Sequence, residues 1–106
     1  MNKDFKPYYA VIFTSTQTQN VEGYEEMAKK MEELAKLQPG YLGMDSARNE
    51  VGITISYWEN LESIKCWKQH TAHLEAQHNG RGGWYKWYHV RICKIEREYE
   101  FNCKLN

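Results

Sequence analysis

Several large function classes are marked by features this sequence lacks. Its 106 residues include only three cysteines, Cys66, Cys93 and Cys103, widely spaced and without a C-x-x-C pair, which suits neither a disulfide framework nor a thiolate zinc site. Reduced thiols in a cytoplasmic protein are the expectation. Neither charge is in excess: fourteen Lys and Arg stand against fourteen Asp and Glu, for a net charge of +0. The sequence-independent attraction that drives nucleic-acid binding therefore has no source, and no nucleic-acid partner is expected. Long apolar runs are missing too. The longest, residues 8–13, is far short of the ~20 residues that span a bilayer, and the polar start Met1-Asn2-Lys3-Asp4 lacks the apolar stretch of a signal peptide. No membrane partner is expected.

What is present is aromatic. Four Trp, eight Tyr and three Phe supply large contact areas, and each Trp or Tyr adds a polar tip that wants a partner. Such a composition suits a pocket or a subunit interface as well as a core. The length fits one domain that buries roughly two-thirds of its unfolded surface, so residues 1–106 read as a single domain with a core at about 8–99 and loose tails at 1–6 and 100–106.

Periodicity supplies the organisation. Residues 8–15 are apolar at both parities, Tyr8, Ala10 and Ile12 against Tyr9, Val11 and Phe13, as in a strand covered on both faces. In residues 23–38 the apolar positions Tyr24, Met27, Ala28, Met31, Leu34 and Ala35 follow helical spacing, and the pairs Glu25/Lys29, Glu26/Lys30 and Glu32/Lys36 at i,i+4 mark a solvated outer face. Pro39-Gly40 stops that helix. Residues 41–47 and 53–58 read as two strands of a hairpin around residues 49–52. In the second of them Ile53, Ile55 and Tyr57 form the more apolar face, which is expected to meet the helices. Asn60 caps a second helix, 61–77, with inner stripe Leu61, Ile64, Trp67, Thr71 and Leu74. A glycine-rich connection at 80–83, read as flexible and able to gate a pocket, and an aromatic cluster of Trp84, Tyr85, Trp87 and Tyr88 lead into a last strand at 90–97.

The order β-α-β-β-α-β is the ferredoxin-like plan, an α+β fold with two helices on one face of a four-stranded antiparallel sheet. The other face is left bare although the first strand is apolar there. The simplest cover is a second copy of the chain, so a homodimer with its sheets face to face is expected.

The stretches Tyr8-Tyr9-Ala10-Val11-Ile12-Phe13-Thr14-Ser15, Gln38-Pro39-Gly40-Tyr41-Leu42-Gly43 with Ser46-Ala47-Arg48, and Ser56-Tyr57-Trp58-Glu59-Asn60-Leu61-Glu62-Ser63-Ile64 with Trp67-Lys68 and His73-Leu74 resemble the antibiotic biosynthesis monooxygenase family of the dimeric α/β-barrel superfamily, as does the segment from Arg81 through Trp84-Tyr85. The resemblance runs over about 8–99. It implies protomers that pair through their sheets into a barrel, with one small pocket each between sheet and helices. It also implies two chemistries: oxidation of phenols or quinols by O₂ without metal or flavin, and binding and oxidative degradation of haem.

For the first chemistry, a base must take a phenolic proton and donors must stabilise the anion. His70, His73 and His89 are the candidate bases. Arg91, Tyr57 and Trp58 are candidate donors and substrate contacts, and Trp67 reads either as pocket wall or as core. For the second, the resemblance asks for a histidine late in the second helix and an Asn on the first strand. Counting on from Trp67, the ligand position falls on Gln77, with His78 one residue later and about 100° round the helix, and the first strand has no Asn. Cys66, His70 and His73 share a helical stripe, but no acidic fourth ligand accompanies them and no metal site is expected. The sequence thus reads first as a monooxygenase acting on a small aromatic compound without a tightly bound cofactor. The alternatives are a haem-binding or haem-degrading protein with His78 as iron ligand, and a non-catalytic small-ligand-binding dimer.

Overall fold

The computed structural model describes residues 4–78 and 83–103. The elements are β1 (Tyr8–Gln17), α1 (Tyr24–Lys36), β2 (Tyr41–Arg48), β3 (Gly52–Trp58), α2 (Leu61–His78) and β4 (Tyr85–Ile95). They form one antiparallel sheet in the order β2-β3-β1-β4, the expected ferredoxin-like arrangement. No helix of the described chain is long and apolar enough to cross a membrane.

The boundaries follow local chemistry. The Asn60 carboxamide oxygen accepts from the Ser63 N–H at 2.8 Å, which caps α2. Gly40 turns the chain out of α1 at φ +85°, and a Cβ there would collide with Ser63 Oγ, so both backbone and space demand glycine. The last strand differs from expectation. It begins five residues earlier than 90, because Tyr85 pairs with Gln17 and Tyr88 with Ser15, and it ends at Ile95, the partner of Tyr8. Next to Tyr8, Pro7 has no N–H to continue the ladder.

The core sits between the helices and the β2–β3 side of the sheet. Ala35, Trp58, Ile64 and Trp67 form its centre, with Tyr9, Val11, Met31, Leu34, Tyr41 and Met44 packed around them. Trp58 is 0% exposed, and its indole N–H donates to Ser56 Oγ at 2.8 Å. The helix-side face of β3 is therefore Thr54, Ser56 and Trp58. This inverts the expectation that Ile53, Ile55 and Tyr57 meet the helices. One indole ring buries more surface than either isoleucine, and its hydroxyl partner two residues back removes the penalty for its N–H. Ile53, Ile55 and Tyr57 are left on the opposite, uncovered face beside Tyr8, Ala10 and Ile12.

Candidate functional site

Antiparallel partners share a face, so the register sorts every candidate residue. Val11 lies opposite Ile92, Phe13 opposite Val90, and Ser15 opposite Tyr88. Because Val11 packs against the core beneath the helices, Tyr88, Val90 and Ile92 belong to the helix side as well. They are nevertheless 52%, 44% and 51% exposed. α1 packs on β2 and α2 on β3, and the helix-side surface of β4 opens into an apolar trough.

Aromatic side chains build the end of this trough nearest α1. Phe13 stacks on Tyr88 with centroids 5.3 Å apart and meets Tyr85 edge-on at 5.4 Å. Tyr24, the first residue of α1, touches Tyr85 at 5.9 Å and Trp84 at 5.7 Å. Trp84 is pinned by its indole N–H, which donates to the Glu22 carbonyl at 2.8 Å, and its own carbonyl accepts from Thr18 N–H at 2.8 Å. These five rings form one connected cluster of offset and edge-to-face contacts.

A cation borders the cluster. Arg48, Gly52, Ser15 and Tyr88 form one row across all four strands. The Arg48 side chain lies flat over Gly52, where any Cβ would collide with the guanidinium. It donates to the fully buried Ser15 Oγ at 2.5 Å and sits over the Tyr24 ring at 5.6 Å. Arg48, Tyr24, Gln17, Val21, Gly23, Glu25 and Glu26 line a depression of about 350 Å³.

The sequence-based candidates divide between separate places. Trp67 and Trp58 pack 5.9 Å apart in the core, where both are buried. Tyr57, Arg91 and His89 stand on the opposite face of the sheet, Arg91 across from Ile12 and His89 across from Thr14. His70 is exposed beside Cys66, Asn60, Glu62, Ser63, Gln38 and Pro39 in a depression of about 450 Å³ on the outer side of α2. His70 and His89 are thus not brought together. The side chains of His73 and His78 lie outside the described residues, as do residues 79–82 of the expected gating connection. Among the described residues no group of three His, Cys, Asp or Glu is placed to hold a metal ion.

On the bare face two phenols are bound to carboxylates. Tyr8 O–H donates to Glu98 at 2.5 Å and Tyr57 O–H to Asp45 at 2.8 Å. The Glu98 hydrogen bond, with partial burial and the carboxylate's charge, pushes Tyr8 up from 10.0 to about 12, and the Asp45 bond likewise raises Tyr57. Both phenols stay neutral in ordinary conditions, as donors rather than bases. β1 reads YYAVIFTSTQ, without the Asn that the resemblance asks for.

Sequence reasoning missed Phe13, Tyr24 and Arg48 as site residues. The available signal was an Arg closing a strand opposite a glycine, with large aromatics at one parity of the neighbouring strand.

The family model described as antibiotic biosynthesis monooxygenase matches residues 7–79. The chain is 45% identical over 102 residues to the uncharacterized protein YqjZ of Bacillus subtilis strain 168, covering 94% of this chain and 90% of that protein. In structure it is similar to a mutant form of SnoaB, a cofactor-independent oxygenase from Streptomyces nogalater, with a TM-score of 0.69 at 10% identity over 86% of this chain and 95% of that one. It is also similar to the haem degrader MhuD of Mycobacterium tuberculosis, with a TM-score of 0.58 at 18% identity over 87% and 99%. Both of these solved structures share the fold.

Proposed function

Because the chain belongs to the antibiotic biosynthesis monooxygenase family, we propose that it binds a small flat quinol- or phenol-like compound in the helix-side trough and oxidises it with O₂ without a tightly bound cofactor. The observation that carries this reading is the uncovered aromatic and aliphatic floor of Phe13, Tyr88, Val90 and Ile92 beside the helices. Exposed apolar surface of this kind marks a binding site, and ring faces suit a flat ligand. The family includes both cofactor-free and haem chemistry among its structural relatives.

In the reaction proposed, the ligand loses its phenolic proton, and the anion passes one electron to O₂. The pair recombines as a hydroperoxide at a ring carbon bearing hydrogen, and loss of water leaves a carbonyl. One oxygen atom stays in the product, the other leaves as water, and all the electrons come from the substrate. The trough holds the ring, and the phenolic proton passes to a base and returns to the peroxide.

The bare face, with Ile12, Ile53, Ile55 and Trp87, pairs in this reading with a second copy of the chain. Tyr99 and Phe101, which stand almost wholly exposed beyond β4, gain cover there. The three free thiols suit the cytoplasm. The test is oxygen uptake with model naphthoquinols. Uptake that saturates with quinol is expected. Saturable haemin binding with a Soret band at one per protomer would overturn the cofactor-free reading, and quinol binding without uptake would leave a receptor in its place. Light scattering at micromolar concentration tests the dimer separately, and a monomer mass would remove it.

A further inference from the structure

We propose that Arg48 is an anion-anchoring residue, and that the ligand of the aromatic site carries an acidic substituent such as a carboxylate on its ring. This inference deepens the small-aromatic reading and rests on it.

Three features hold the guanidinium in one place. Gly52 leaves room for it to lie flat, since a Cβ would collide with it. Ser15 Oγ, fully buried, receives one of its N–H groups at 2.5 Å. The Tyr24 ring covers it at 5.6 Å, a cation–π contact. A long side chain held at three points has already given up the rotamer freedom that a ligand contact would otherwise cost. Among the described residues no carboxylate stands within ion-pairing distance of it, and its remaining donors border the depression of about 350 Å³.

The same depression adjoins the aromatic cluster. Its wall residue Gln17 is the cross-strand partner of Tyr85, and Tyr24 touches both Arg48 and Tyr85. A ring lying against Tyr85 and Tyr24 thus brings a substituent to a planar donor fork that matches a carboxylate. Glu25 and Glu26 also line the depression. They are exposed on α1, where solvent screens their charge.

The test compares 1-hydroxy-2-naphthoate with 1-naphthol by titration calorimetry at low salt. The wild type should bind the acid about tenfold more tightly, the discrimination of one charge-assisted pair. Arg48→Gln should abolish that preference, leaving the two compounds with equal affinity. Gly52→Ala should do the same although the positive charge remains, because the Cβ displaces the guanidinium. The comparison of the two ligands on the wild type needs no variant and stands even if a substitution impairs folding. Equal affinity for the two compounds in the wild type, or an acid preference that survives Arg48→Gln, overturns the role of Arg48 and leaves the aromatic-binding reading standing. Failure of both compounds to bind overturns the two together.

Discussion

Across β2 and β3 the helix-side surface of the sheet is sealed by Trp58, Trp67, Ile64 and Ala35, whereas across β4 the same surface reaches water at Tyr88, Val90 and Ile92. One pleated face thus serves as core on one half and stands open to solvent on the other. The difference comes from where the helices are drawn. The two indoles hold α2 over β3, and the fully buried Ala35 lets α1 approach closely. Apolar side chains on β4 are then left exposed.

Substitutions should break this contrast in order of burial. Trp58→Ala should cost about 3–5 kcal/mol, since it empties a sealed site and strands the Ser56 hydroxyl, a loss that guanidinium denaturation would read directly. Gly40→Ala should cost about 2 kcal/mol by the same measurement, because it forces a left-handed backbone on alanine and drives a methyl into Ser63; a neutral result would mean that the turn before β2 repacks freely. Ile92→Ser, on the open half, should change stability by no more than about 0.5 kcal/mol while weakening binding of 1-naphthol several-fold. A large stability loss there would make β4 core and dissolve the distinction.

The smallest effect concerns the bare face. Tyr8 titrates at about 12 when folded against 10.0 when unfolded, so its contribution to stability is complete below pH 10 and is lost as the pH rises toward 12. Denaturation of the wild type should therefore weaken over that interval more than that of Tyr8→Phe. Equal slopes would show that the Glu98 hydrogen bond does not form in solution. Oligomer mass measured alongside would show whether the phenol is also covered by a partner.

Much of the architecture was legible because it depends on period. Helical spacing from Tyr24 to Ala35, the Asn60 cap and the Pro39-Gly40 stop gave two helices and their ends, and alternating apolar stretches gave the strands. The facing of β3 was not legible. Three apolar residues at one parity outweigh Thr54, Ser56 and Trp58 by count, yet volume and a local hydroxyl for the indole N–H decided otherwise. The histidines show the same limit. Sequence spacing places His70 and His89 among the candidate bases, but only the folded chain reveals that His70 is exposed on α2 beside Gln38 and Pro39 and that His89 stands on the opposite face of the sheet.

The sequence by itself therefore determined the order of elements, the ends of the helices and the likeness to the family, because these rest on local periodicity and local capping. Tertiary structure alone decided which face of each strand became core, where the helices left β4 uncovered, and that Arg48 crosses Gly52 to Ser15. Those outcomes depend on packing and pairing between separate elements, as where Arg48 reaches Ser15, which no single stretch of chain encodes.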